Sequence, residues 1–166
     1  MNGAMWRRDA HDGHTLLEVL VALTITITGV LGIAALLLYG LSAHQSARQY
    51  ETADRLLTDI SEQMRANPAA ADAYATDRYP AGARTQGCAT THDCPPMALA
   101  EHQLAQWQAE IATRLPAIPE GAARGEIVAQ PSFQNAAMWR LSLSWGNAAQ
   151  REPAALGRLL ALPRPP

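Results

Sequence analysis

The sequence contains no lysine, two cysteines and nine aromatic residues, and its formal net charge is only −2. This near balance of charge excludes a basic nucleic-acid binder and an acidic disordered tail, so nucleic acid is not an expected partner. Catalytic motifs are missing as well: the chain has no Gly-rich phosphate loop, no nucleophile elbow and no His-Glu-x-x-His pair. The five histidines are scattered along the chain. We therefore expect neither an enzyme nor a bound cofactor.

Large apolar side chains are scarce outside one stretch. Apolar residues make up 48% of the chain, but 33 of the 166 residues are alanine. Residues 42–166 contain only 28 apolar side chains other than alanine. A segment of that length and composition buries only a thin core, and small domains of this kind usually need a staple or a packed partner.

One uncharged stretch dominates the N-terminal part of the chain. Residues 19–47 carry no formal charge, and a helix from Val19 to Leu41 would be about 34 Å long, enough to cross a bilayer. We predict one helix from about Thr15 to Asn67, apolar all round in its first half and with one apolar stripe in its second. The stripe consists of Ala53, Leu56, Leu57, Ile60 and Met64. The simpler alternatives are a plain anchor and a cleaved secretory signal, whose apolar region is shorter.

The apolar stretch begins with Gly13-His14-Thr15-Leu16-Leu17-Glu18, behind a short polar leader. An acidic residue at full depth in a bilayer costs about 2.5–3.5 kcal/mol, and less near the interface, so Glu18 at the edge of a span calls for an explanation. One explanation is a capping box, because Thr15 and Glu18 have the Thr-x-x-Glu spacing that closes a first helical turn. The other is a functional carboxylate, and the residues alone favour neither.

Gly13, the five residues after it and the apolar run together resemble the type IV prepilin signal, usually Gly-Phe-Thr-Leu-Ile-Glu. The resemblance implies that a prepilin peptidase cleaves the chain after Gly13 on the cytoplasmic face of the membrane. It also implies N-methylation of His14, which stands where phenylalanine is common. Glu18 is fifth in the mature chain and corresponds to the glutamate that pairs with the terminal ammonium of a neighbouring subunit and sets subunit register.

Further segments resemble the PilV type of minor pilin, also called the type IV pilus modification protein. They are residues 17–23, 29–32, 42–47, 64–68 and 104–107, with Gly87-Cys88 and Asp93-Cys94. The resemblance implies a role in type IV pilus biogenesis, in a priming or tip complex with other minor pilins. The major pilin and the inner-membrane assembly platform are the other implied partners. The implied location is the bacterial inner membrane, with one span and a periplasmic C-terminal domain, and then the pilus.

These inferences divide the chain into four parts. They are a leader peptide at residues 1–13, a membrane and filament-core helix at 14–41, the amphipathic half of the same helix at 42–67, and a periplasmic head at 68–166. Membrane lipid is the expected contact from Val19 to Leu41. Orientation rests on the resemblance, because two arginines before the span are matched by Arg48 and Arg55 beyond it.

The head begins with a loop from Pro68 to Pro96 that contains both cysteines. In an oxidising periplasm, a disulfide between Cys88 and Cys94 is the default, and it contributes about 2 kcal/mol in the chain-entropy model. A metal site that combines the two cysteines with His92 and His102 fits no common zinc spacing, so no metal is expected.

The rest of the head predicts a second helix and two or three strands. The helix runs from Pro95 and Pro96 to about Leu115, and the strands from Glu126 to Gln130 and from Ala137 to Trp145. A third strand from Ala155 to Leu162 is weakened by Gly157 and the alanines. Helices first and strands last indicate an α+β fold, type IV pilin-like, in which the long helix covers one face of a small antiparallel sheet. The predicted core residues are Leu56, Ile60, Trp107, Trp139, Leu143 and Trp145.

Three other functions remain open from the sequence. A type II secretion minor pseudopilin would share the signal and the fold. A single-span periplasmic adaptor protein would keep its leader uncleaved. A periplasmic hydrolase on an anchor would need a pocket with shifted titratable groups, and the sequence offers no candidate for one.

Overall fold

The computed structural model describes residues 12–77, Cys88, 94–147 and 152–163. Helix α1 spans Asp12–Ala66, a short 3₁₀ helix spans Pro68–Tyr74, and helix α2 spans Pro96–Arg114. The strands are β1 at Arg124–Phe133, β2 at Ala136–Trp145 and β3 at Ala154–Pro163, and they form one antiparallel sheet in the order β1-β2-β3. The predicted α+β layout, a long apolar N-terminal helix with a small antiparallel sheet, is therefore confirmed.

The chain divides into two compact units, and α1 contributes to both. The first unit ends at His44 and the second begins at Gln45. In the first unit, every large apolar side chain from Leu16 to Leu41 is exposed, from 49% for Ile27 to 76% for Tyr39. By length and composition this part of α1 can cross a membrane. The prediction of one helix long and apolar enough for a single span is confirmed to that extent.

In the second unit, α1 buries the predicted stripe. Ala53, Leu56, Leu57, Ile60 and Met64 are each at most 2% exposed, because their spacing puts them on one side of the helix. The charged residues between them are exposed, and Thr58 and Gln63 are half-buried. Ser61 is buried and donates its hydroxyl to the Thr58 carbonyl oxygen at 2.7 Å. The stripe therefore forms one wall of the core.

The sheet forms the second wall. In β2, Trp139, Leu141, Leu143 and Trp145 are buried, and the residues between them are not, as a period of two requires. Between β1 and β2, both turn residues have positive φ, 45° at Gln134 and 62° at Asn135, which is the geometry of a tight two-residue hairpin. All six predicted core residues are 4% exposed or less.

The strands at the two edges of the sheet are longer than predicted. β1 extends from Arg124 to Phe133 instead of from Glu126 to Gln130, with an irregularity in its pairing after Gln130. The weakly predicted third strand is present and pairs with β2 over all ten residues, including Gly157 opposite Ser142. Cross-strand pairing here outweighs the low intrinsic strand propensity of glycine and alanine.

Helix α2 closes the core over β1. Leu104, Trp107 and Ile111 are buried, and Trp107 donates its indole N–H to the Leu56 carbonyl oxygen of α1 at 2.9 Å. Gly125 of β1 lies directly beneath the Trp107 ring, where a Cβ would overlap both that ring and Ile111. A residue with no side chain is needed there so that helix and strand can approach.

Candidate assembly site on the N-terminal helix

The predicted processing site falls in the first turn of α1. The helix begins at Asp12, earlier than the predicted Thr15, so Gly13 and His14 both belong to it. Their side-chain environment and residues 1–11 of the leader lie outside the described residues. Cleavage after Gly13 and methylation of His14 therefore stay predictions.

Glu18 lies one turn further along α1 and is exposed. No hydrogen bond or ion pair joins its carboxylate to another described residue. The side chain of Thr15, the other half of the proposed capping box, lies outside the described residues. Glu18 is thus a carboxylate at the start of an apolar helix with no partner among the described residues of its own chain, and its pairing role stays a prediction.

The threonines on the surface that follows Glu18 have hydroxyls that are already hydrogen-bonded within the helix. The hydroxyls of Thr24, Thr26 and Thr28 donate to the backbone carbonyl oxygens of Val21, Ala22 and Thr24, at 2.7 to 2.8 Å. A hydroxyl that is satisfied by its own helix costs little in lipid or against another helix. This segment therefore offers neighbours a methyl-rich surface.

The glycines of the same segment have open space where a side chain would lie. A Cβ at Gly29, Gly32 or Gly40 would meet no atom within 4 Å. They differ in this from Gly125, where a neighbouring side chain fills the space. No packing contact with the described residues therefore requires glycine at these three positions.

The two cysteines are joined in a disulfide, Cys88 to Cys94, with their Cα atoms 5.7 Å apart. Cys94 comes two residues before α2 begins. Both sulfurs are consumed by the bond, so neither can be a thiolate ligand, and His92 lies outside the described residues. Nδ1 of His102 is buried and has no hydrogen-bond partner among the described residues.

A groove of about 210 Å³ lies between α1 and α2. Its walls carry the carboxylates Asp59, Glu62 and Glu110 and the amides Gln63, Gln103 and Gln106, with Leu56 and Trp107 at its base. Glu62 and Glu110 are each paired with an arginine on their own helix, at 2.5 and 3.4 Å. Neither these carboxylates nor any other three His, Cys, Asp or Glu residues of the described part of the chain are placed so that together they could hold a metal ion.

Tyr74, whose pKa is shifted, lies beside this groove. Burial raises the pKa of the Tyr74 phenol above its usual value, and a hydrogen bond with the Asn67 side chain opposes that effect. The phenol donates to Oε1 of Gln103, which ties the 3₁₀ helix to α2. A neutral, buried phenol in a structural hydrogen bond is not poised for acid–base chemistry.

Sequence reasoning missed two polar contacts between α1 and the sheet. Arg158 of β3 donates to Oδ1 of Asp54 at 2.7 Å and to Oγ1 of Thr58 at 3.1 Å. The indole N–H of Trp145 donates to Oε1 of Gln49 at 3.3 Å. The available signal was Arg158 itself, an arginine at a position that alternation with Leu156 and Leu160 assigns to the buried face of β3.

Comparison of the chain with models of protein families, with curated proteins and with solved structures finds no match.

Proposed function

We propose that this chain is a minor pilin that takes part in type IV pilus biogenesis, in a priming or tip complex with other minor pilins. The observation that carries the proposal is α1 itself: 55 residues of helix with an exposed apolar first part and a second part that buries one stripe under a sheet and a second helix. A plain anchor needs only about 20 apolar residues and no continuation. A subunit whose helix passes from membrane to filament while its head stays folded needs both parts.

The sequence at the start of α1 supports the same proposal. Gly13 occupies the cleavage position of the type IV prepilin signal, His14 becomes the methylated N-terminus, and Glu18 supplies the carboxylate at the fifth position of the mature chain. Glu18 is exposed and has no partner among the described residues, so its carboxylate is available to a terminal ammonium from a neighbouring subunit. Such a pair in apolar surroundings fixes register, since a displaced neighbour would leave both charges unpaired.

N-terminal sequencing of the membrane-bound protein tests the processing step. We expect a mature chain that begins at His14, and we expect Gly13→Leu to leave the precursor uncut. A Gly13→Leu chain that still matures to His14 would refute the signal. A retained leader in the unmodified chain would favour the single-span periplasmic adaptor.

Glu18→Ala tests the assembly step separately. The variant should be cleaved normally, because cleavage depends on the glycine, and yet should support few pili. Glu18→Gln is the matched control for size and hydrogen bonding, and it should fail in the same way if the charge is what matters. Normal piliation in both variants would remove the pairing role while leaving the processing result in place.

The second candidate is a minor pseudopilin of a type II secretion system, which would have the same signal and helix. Co-purification separates the two: a minor pilin should be recovered with other minor pilins of a pilus system, and a pseudopilin with secretion components.

A further inference from the structure

The two edges of the sheet differ in their hydrogen bonds to the rest of the described chain. At the outer edge of β1, the backbone N–H of Thr76 donates to the Ile127 carbonyl oxygen at 3.0 Å, and the Ile127 N–H donates to Thr76 Oγ1 at 3.0 Å. At the outer edge of β3, no described residue hydrogen-bonds to the backbone. Among the described residues, one edge is therefore covered at its middle and the other has no hydrogen-bonded neighbour along its length.

Apart from Arg158, which faces α1, and Pro163 at its end, β3 lacks the features that usually protect an open edge. It is ten residues long and regularly paired with β2 throughout, with no bulge. Its outward face carries no charge and consists of Ala155, Gly157, Leu159 and Ala161, of which Leu159 is 64% exposed. Natural edge strands are normally short, bulged or charged, because an open regular edge pairs readily with another strand.

Arg158, the one charged residue of β3, indicates what a strand added beside β3 would carry. Arg158 lies on the side facing α1, and two of its N–H groups are used by Asp54 and Thr58. A guanidinium has five N–H groups, and the other three of Arg158 have no acceptor among the described residues. The Arg158 side chain is 37% exposed, so water can satisfy the remaining N–H groups until something covers them. A strand added beside β3 that covers them would have to offer an oxygen acceptor there, and uncharged side chains on the opposite face.

A second copy of this chain does not fit the edge. Gln49 lies beside Trp145 and Asp54 beside Arg158, so residues 45–66 run along the strands. Two-fold pairing of β3 with β3 is antiparallel, so the two Gln45 residues would lie at opposite ends of the joint sheet. Two chains anchored in the same membrane should instead have their Gln45 residues at the same end. Head-to-tail pairing of β3 with β1 of another copy is obstructed by Thr76 at Ile127.

We infer that the open edge of β3 receives an extended strand from a different subunit of the same assembly, by strand addition. The strand is uncharged where it flanks Leu159 and presents an oxygen acceptor to Arg158. This deepens the proposed function and rests on it, since it takes the partner to be another minor pilin anchored in the same membrane.

The test uses the full chain, co-expressed in turn with each other minor pilin of its own pilus system and purified in detergent. Hydrogen exchange of the β3 amides is measured for the chain alone and for each complex. Edge amides that exchange freely in the chain alone should slow by about tenfold or more in one complex. The amides of β1 at Ile127, already bonded to Thr76, should change little.

Leu159→Lys provides the test by substitution, and Val128→Lys is its matched control. Both residues pair with Arg140 on the same outward face, one from each side, so each new lysine meets the same arginine. Only Leu159→Lys places a charge on the open edge, and it should weaken the complex at least about tenfold, whereas Val128→Lys should leave it unchanged.

Three results would overturn the inference. They are a complex in which the β3 amides exchange as fast as in the chain alone, a complex that Leu159→Lys and Val128→Lys affect equally, and no complex with any minor pilin. The N-terminus is sequenced from the same samples. If one of these three results is obtained and the chain is still cut after Gly13, the strand addition is refuted and the pilin assignment is not.

Discussion

The same substitution at two glycines of the sheet should have opposite effects on stability. At Gly125 of β1, an alanine Cβ would overlap the ring of Trp107 and the side chain of Ile111. At Gly157 of β3, the nearest atoms to a new Cβ are the Leu141 carbonyl oxygen at 3.5 Å and Ser142 Cβ at 3.8 Å, which is ordinary contact. Neither glycine has the positive φ that would itself strain an alanine.

The expected magnitudes follow from these contacts. Overpacking typically costs about 1–3 kcal/mol, because helix α2 must shift away from β1 or the Trp107 ring must leave its rotamer. Gly157→Ala should instead gain about 0.4–1 kcal/mol, since it restricts the unfolded chain without strain in the folded one. For a chain of this size each kcal/mol corresponds to about 2–4 °C in Tm.

The assay is unfolding of the full chain in detergent, by urea and by heat, followed by tryptophan fluorescence. A double-mutant cycle with Trp107→Phe isolates the overlap. Trp107→Phe removes the overlap with the indole but not the overlap with Ile111, so the cost of Gly125→Ala should be smaller, and not zero, in the Trp107→Phe background. Equal stability of Gly125→Ala and the unmodified chain would refute the reasoning, and so would an undiminished cost in that background.

Three further predictions concern single interactions in the second unit. Replacing Cys88 and Cys94 together by serine should lower the free energy of unfolding by about 2 kcal/mol, which denaturant titration under oxidising conditions would measure; no difference between the two chains would contradict it. Trp107→Phe should cost about 1 kcal/mol or more by calorimetry, because the indole hydrogen bond to the Leu56 carbonyl oxygen is lost. The raised pKa of Tyr74 means that the folded state holds the phenol proton more tightly, so stability should fall as pH rises past about 10. Tyr74→Phe should flatten that fall in melts at about pH 9 and about pH 11, and an unchanged slope would assign it to other groups.

Local patterns in the sequence predicted most elements of the second unit. Helical spacing identified the buried stripe of α1, and strict alternation from Trp139 to Trp145 identified β2, because each pattern is a direct consequence of backbone geometry. The edge strands were predicted less well. Pro131 and Gly157 each weaken the local signal for a strand, and only the hydrogen bonds of β2 with its neighbours decide that both segments are extended.

Contacts across the fold could not be predicted in the same way. Gln49 and Trp145 are 96 residues apart, and Arg158 and Asp54 are 104 residues apart. Their meeting depends on how α1 lies along β2, which no local pattern states. The need for glycine at position 125 likewise becomes visible only when the position of Trp107 is known.

The proposed processing signal is the reverse case, because the sequence says more about it than the fold does. Gly13, His14 and Glu18 stand out by their order before an uncharged run, and the proposed peptidase would read that order as sequence. The structure contributes the surroundings: an apolar helix surface with satisfied threonine hydroxyls, and a carboxylate with no partner among the described residues.

That combination indicates what can bias the proposed transfer of the helix from lipid into a filament. Lipid tails and neighbouring apolar helices are similar surroundings for leucine, isoleucine and valine, so the exchange gains little from the hydrophobic effect. No formal charge occurs from Val19 through Ala47, so Glu18, at the N-terminal end of this segment, is the side chain there whose electrostatic energy should change most. An unpaired carboxylate between helices costs several kcal/mol, and a partner ammonium removes most of that cost. The direction and register of assembly should therefore depend on one side chain, whereas substitutions among the apolar residues of the span should be tolerated when their volume is kept.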